Sequence, residues 1–130
     1  MSKGDIKILI VDDSNTNIVL LEAVFSGKGY RVETTLNAID AFQSISKEKP
    51  DLILLDLLMP KISGYDFMKR LNQDELTSDI PVIVISAVTD YDNIKKIMEM
   101  GISDYVKKPV DIEDLVVRVN KILNFSNVDS

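Results

Sequence analysis

The sequence predicts an α/β fold in which a parallel five-stranded sheet carries helices on both faces. Three observations predict it. Apolar runs alternate with amphipathic stretches from residue 6 to residue 124. The central runs are apolar without a period-two break, as strands buried on both faces require. Each gap between successive runs holds 15 to 25 residues, room for one helix.

In chain order, IKILIVD (6–12) reads as the first strand. A helix over 15–28 follows, with Ile18, Leu20, Leu21, Val24 and Phe25 turned inward and Gly27 and Gly29 as stop signals. YRVETT (30–35) is the second strand, and 37–48 a helix that buries Ala38, Ala41, Phe42 and Ile45. DLILLD (51–56) is the third strand. Ser63 is the N-cap of a helix over 64–72 with Phe67, Met68 and Leu71 inward. PVIVIS (81–86) is the fourth strand, and a helix over 90–100 starts at Asp90, turns Ile94, Ile97 and Met98 inward and stops at Gly101. The short SDYVK (103–107) is the fifth strand, followed by a helix over 111–124 with Ile112, Leu115, Val116, Val119, Ile122 and Leu123 on one stripe. The reading gives one domain over 1–125 and a polar tail over 126–130 that frays.

Composition excludes several chemistries. The 130 residues, 45% hydrophobic and 28% charged, suit a globular chain with one core. No apolar run approaches the roughly 20 residues that span a bilayer, and MSKGDIKILIVDD does not read as a signal peptide, so the expected compartment is the cytoplasm. A net charge of −6 argues against a nucleic-acid surface. The chain has no cysteine and no histidine, which removes thiolate chemistry, Ser-His triads, imidazole ligands and any role as a histidine phosphodonor. Catalysis must run on carboxylates, lysine, hydroxyls and a hard metal.

Ligands of open α/β sheets bind outside the carboxyl ends of the strands. Those ends collect Asp12 and Asp13 from the first strand, Asp56 from the third, Ser86 from the fourth and Lys108 after the fifth. Asp56 stands among leucines and isoleucines, where an ionised group is costly unless it emerges at an edge. Two carboxylates about 5 Å apart repel by roughly 3 kcal/mol at an effective dielectric of 20. A divalent cation between them removes that penalty, and an all-oxygen donor set favours Mg²⁺. Such a site screens an incoming phosphoryl group for attack by Asp56, with Lys108 and the Ser86 hydroxyl on its remaining oxygens.

These residues lie in ILIVDDS (8–14), LLDLLMPKISG (54–64), VIVISA (82–87) and GISDYVKKPV (101–110). All four, in order and at these spacings, resemble the receiver domain of two-component response regulators, over about residues 5–125. The resemblance implies the flavodoxin-like (βα)5 three-layer sandwich with strand order 2-1-3-4-5. It implies Asp56 as phosphoacceptor, Asp12, Asp13 and Asp56 with the Leu58 backbone carbonyl as Mg²⁺ ligands, Ser86 and Tyr105 as the switch pair, and Lys108 ahead of a cis Pro109. It further implies a sensor histidine kinase or histidine phosphotransfer protein as donor, docking on the first helix around Asn15, Val19 and Glu22. The output is a downstream protein or output domain that reads the face of the fourth helix, fifth strand and fifth helix, with a phosphorylation-dependent homodimer as one possibility. Besides Mg²⁺-dependent self-phosphorylation and slow dephosphorylation, no enzyme activity is expected, and no direct contact with nucleic acid or membrane. Leu58 and Val88 occupy the two positions near the site where polar side chains would orient an attacking water. Both are apolar, which predicts a long-lived phosphoryl group.

Plainer readings compete. Asp12 or Asp13 could merely cap the following helix, Tyr105 could be a packing residue, and an exposed Val19 or Val117 is unremarkable singly. A flavodoxin-like electron carrier needs a Ser/Thr/Gly-rich phosphate loop where DDSNTN stands. A haloacid-dehalogenase-type phosphatase places its carboxylates as Asp-x-Asp, whereas Asp12 and Asp13 are adjacent. A degenerate receiver acting only as a binding module is the remaining alternative.

Overall fold

A computed structural model describes residues 2–59, 62–88 and 90–124. After a single 3-10 turn at Lys3–Asp5, β1 (Lys7–Val11), β2 (Arg31–Thr35), β3 (Leu52–Asp56), β4 (Val82–Ser86) and β5 (Asp104–Lys107) alternate with α1 (Asn15–Gly27), α2 (Ala38–Lys47), α3 (Gly64–Gln73), α4 (Tyr91–Met98) and α5 (Ile112–Ile122). All pairings are parallel, in the order β2-β1-β3-β4-β5. This is the flavodoxin-like α/β fold expected from the resemblance. The tail at 126–130 lies outside the described residues.

Because side chains alternate across the sheet, each strand feeds two cores. Leu9, Val11, Ile53, Leu55 and Val84 pack with Ala41, Ile45, Phe67, Met68, Leu71 and Ile97 under α2, α3 and α4. Ile8, Ile10, Leu52, Leu54, Ile83 and Ile85 pack with Ile18, Leu21, Phe25, Leu115 and Val119 under α1 and α5. β1, β3 and β4 are buried at every position, which is why they read as unbroken apolar runs.

Helix ends follow the expected chemistry. Ser63, Asp90 and Asp111 accept the N–H of Asp66, Asp92 and Asp114 at the starts of α3, α4 and α5. Gly29 and Gly101 take positive φ after α1 and α4, where a side chain would be strained. Two inward assignments need correction. Leu20 is 49% exposed and Met98 52% exposed. The stripe of α1 that meets the sheet is Ile18, Leu21 and Phe25, and Leu20 lies one residue, or about 100°, off it. The eight-residue α4 buries only Ile97, and Met98 is again the next residue around. The Lys108–Pro109 bond is cis, as the resemblance implies.

Candidate phosphoacceptor site

At the carboxyl end of the sheet, β1 ends at Val11, so Asp12 and Asp13 begin the turn into α1, while Asp56 is the last residue of neighbouring β3. Asp12 and Asp56 are 3% and 5% exposed, and Asp13 is exposed. One carboxylate oxygen from each of the three lies within 4.8 Å of the others. The plain capping reading of Asp12 and Asp13 fails here. Ser14 is the N-cap, its Oγ accepting from Asn17 N at 3.3 Å, which leaves both aspartates to the crevice.

Each buried carboxylate is fixed by a backbone N–H two residues on. Ser14 N donates to Asp12 Oδ1 at 2.9 Å, and Leu58 N to Asp56 Oδ1 at 3.2 Å. The β3–α3 turn that carries Leu58 is closed by Gly64 N donating to the Leu57 carbonyl at 2.9 Å. A Cβ on Gly64 would stand 2.6 Å from Leu57 Cα, so only glycine lets α3 start this close to the strand end. The other oxygens, Asp12 Oδ2 and Asp56 Oδ2, lie 3.8 and 3.7 Å from Lys108 Nζ. The lysine is held by its own N–H, which donates to the Ser86 carbonyl at 2.9 Å.

The electrostatics are under-compensated. Burial pushes Asp56 up from 3.8 to about 6; the Leu58 N–H opposes this, Asp12 adds to it, Lys108 opposes it and Asp13 adds to it. Three carboxylates face one ammonium at loose distances, with no nitrogen or sulfur donor. That is the donor chemistry of a hard divalent cation, so the residues present fit Mg²⁺.

The other expected residues fall into two groups. Ser86 ends β4 beside Asp56 and is fully buried, its Oγ accepting from Val88 N at 3.1 Å. Tyr105 is half-buried, and its hydroxyl donates to the Val88 carbonyl at 2.8 Å, so Ser86 and Tyr105 are linked through Val88. Asn15, Val19 and Glu22 are exposed on α1, Leu58 presents a 58% exposed side chain, and Val117 is exposed on α5. Sequence reasoning missed two neighbours. Asn17 donates its side-chain amide to Asp12 Oδ2 at 3.4 Å, a partner readable from an amide in the first turn after Asp12 and Asp13. Leu20 lines a groove of about 270 Å³ with Asp12, Asn17, Lys108 and Pro109.

A five-stranded parallel sheet in this order, with an acidic crevice and a lysine at its carboxyl end, defines a receiver-type signalling module. The chain matches the family described as the response regulator receiver domain over residues 8–120 and belongs to it. It is similar to the response regulator PleD of Caulobacter vibrioides, at 35% identity over 122 residues, covering 94% of this chain and 27% of that protein. It is also similar to the response regulator SaeR of Staphylococcus aureus, at 35% over 116 residues, covering 89% and 50%. The chain therefore spans about a quarter to a half of the length of these curated relatives. Among solved structures, a putative response regulator from Chloroflexus aurantiacus superposes with TM-score 0.85 at 38% identity, covering 91% of this chain and 97% of that one. The receiver domain of the sensor histidine kinase PA1611 from Pseudomonas aeruginosa, with magnesium coordinated in its active-site cleft, gives 0.82 at 26% identity and the same coverage. Among the described residues no helix is long and apolar enough to cross a membrane.

Proposed function

We propose that residues 1–125 form the phosphoacceptor domain of a two-component phosphorelay, with Asp56 taking a phosphoryl group from a sensor histidine kinase or histidine phosphotransfer protein. The observation that carries this is the crevice itself: three carboxylate oxygens within 4.8 Å, and one lysine 3.7 to 3.8 Å from two of them. Asp12, Asp13, Asp56 and the Leu58 carbonyl are the residues that would hold Mg²⁺. When bound, the ion supplies positive charge against the carboxylates and the phosphoryl oxygens.

In the transfer an Asp56 oxygen bonds to phosphorus as the phosphorus–nitrogen bond of the donor histidine breaks, its electron pair returning to the imidazole. The Leu58 N–H fixes Asp56 Oδ1, leaving Oδ2 as the attacking atom. Lys108 moves from Asp56 Oδ2 onto a phosphoryl oxygen. The Ser86 hydroxyl donates its proton to another while still accepting from Val88 N. Through Val88 the new charge is felt at Tyr105, whose hydroxyl is bound to the Val88 carbonyl. A shift from 1% to 99% active needs about 5.5 kcal/mol of differential stabilisation, within reach of a few charge-assisted hydrogen bonds at about 1.5–3 kcal/mol each. The face of α4, β5 and α5 carries the readout to a downstream protein, an output domain or a second copy. The donor docks on α1 at Asn15, Val19 and Glu22. A cytoplasmic setting belongs to the same reading.

Intact-mass measurement after incubation with acetyl phosphate tests the proposal. One added phosphoryl group that disappears with EDTA and in Asp56→Asn is expected. A folded parent with no adduct would return the chain to the degenerate-receiver alternative.

A further inference from the structure

We infer that Asn17 is a positioning residue for the metal: its side-chain amide holds the second oxygen of Asp12 in place beside a lysine that Asp12 must share with Asp56. The inference rests on the phosphoacceptor reading above and adds to it a residue on α1 that is itself no metal ligand. Asp12 is 3% exposed, so both of its carboxylate oxygens need hydrogen-bond or charge partners. Oδ1 has the Ser14 N–H at 2.9 Å. Oδ2 has two partners, the Asn17 amide at 3.4 Å and the Lys108 ammonium at 3.8 Å. Lys108 is shared with Asp56 Oδ2 at 3.7 Å. Of the two partners of Asp12 Oδ2, the lysine is divided between two carboxylates and the amide is the nearer.

The chemistry of the amide suits that task. A carboxylate only accepts, so the nitrogen and not the oxygen of the Asn17 side chain must face Asp12. An amide donates a hydrogen without adding a net charge, so it orients the oxygen without competing with a cation as a lysine or arginine would. Its own backbone is fixed independently, since Asn17 N donates to Ser14 Oγ, the cap of α1. The same turn of helix thus sets both oxygens of Asp12, one through the Ser14 backbone and one through the Asn17 side chain. Asn17 also lines the groove with Leu20, Leu21 and Pro109, so an apolar side chain of similar size at this position has apolar neighbours.

The test is an NMR titration of the full, unphosphorylated chain with Mg²⁺, on the parent, Asn17→Leu and Asn17→Gln, with thermal melts of each in EDTA. Partners of metal ligands are worth 10–100-fold in metal affinity, and the long 3.4 Å contact points to the low end, a loss of about tenfold in Asn17→Leu. Asn17→Gln, which keeps the amide, recovers most of it, and all three chains melt within about 3 °C of one another. Equal Mg²⁺ affinity in Asn17→Leu and parent overturns the inference. So does an affinity loss that Asn17→Gln fails to restore, or one accompanied by a large drop in melting temperature, since either marks a merely structural residue. A parent that shows no saturable Mg²⁺ shift would instead sink the phosphoacceptor reading itself.

Discussion

The two ends of β1 handle buried charge in opposite ways. At its start, Lys7 is 5% exposed and fully provided for. Its ammonium meets Glu33 Oε1 at 2.8 Å, Glu48 Oε1 at 3.5 Å, the Glu48 carbonyl at 3.1 Å and Ser44 Oγ at 3.5 Å. Just past its other end, Asp12 is equally buried, yet its nearest cation is 3.8 Å away and shared with a second carboxylate. The titration behaviour separates the same way. The Lys7 hydrogen bond, helped by Ser44, holds Glu33 below the usual glutamate range, whereas burial drives Asp56 up to about 6. One end is a finished structural tie between β1, β2 and α2; the other is charge left unbalanced, at the place where the proposed function puts a cation and a phosphoryl group.

The largest effect should come from undoing the finished end. Glu33→Leu leaves a buried ammonium with its best counterion gone, and breaking such a pair costs about 3 kcal/mol. Lys7→Met should cost clearly less, because Glu33 and Glu48 are half-exposed and water can take up their charge. Urea unfolding of both variants checks the asymmetry; equal losses would break the contrast drawn here. At the other end the sign reverses. A raised folded pKa means that ionised Asp56 weakens the fold, and this penalty grows as pH rises from 3.8 through about 6. The full shift converts to about 3 kcal/mol, so Asp56→Asn in EDTA should gain on the order of 2 kcal/mol at pH 7.5 and nothing below pH 3.8. Glu33 slopes the other way: its stabilisation is present above the unfolded glutamate value and is lost as pH falls through the depressed folded one. If Asp56→Asn were neutral at pH 7.5, the crevice would be as well compensated as the Lys7 end.

Much of this contrast was legible in the sequence. Three unbroken apolar runs fix the central strands, and the residues after their last apolar positions are Asp12, Asp56 and Ser86, so the crevice followed from strand ends alone. What periodicity could not give was rotation to better than one residue: Leu20 and Met98 are adjacent to the buried Leu21 and Ile97, and hydrophobicity does not say which of two neighbours meets the sheet. The strand order came from resemblance, because apolar runs carry no record of their lateral neighbours. Lys7 was invisible for a different reason. Its partners lie in β2 and α2, up to 41 residues away, and nothing local marks a lysine at a strand start as buried. Asn17 offered a weaker signal, an amide in the first turn after Asp12 and Asp13, and Ser14 as the cap sets which way that turn faces.

The smallest effect concerns how long the unbalanced end stays rebalanced. Leu58 and Val88 sit on the β3–α3 and β4–α4 loops, tied through their backbone N–H groups to Asp56 and Ser86, the first exposed and the second half-buried against the core of α2, α3 and α4. Neither side chain can accept a hydrogen bond, so neither can hold a water in line with the phosphorus–oxygen bond of an aspartyl phosphate. The backbone contacts of these residues, Leu58 N to Asp56 and the two bonds of Val88 to Ser86 and Tyr105, do not depend on side-chain identity. Leu58→Asn with Val88→Glu therefore alters water placement while leaving the acceptor geometry in place. Orienting one water is worth far less than assembling a full catalytic group, and a phosphoryl lifetime shortened about fivefold is expected. Decay of the phosphorylated mass after removal of acetyl phosphate measures it. An unchanged lifetime would mean that water reaches the acyl phosphate without help from either position, and that the apolar pair does not set the duration of the signal.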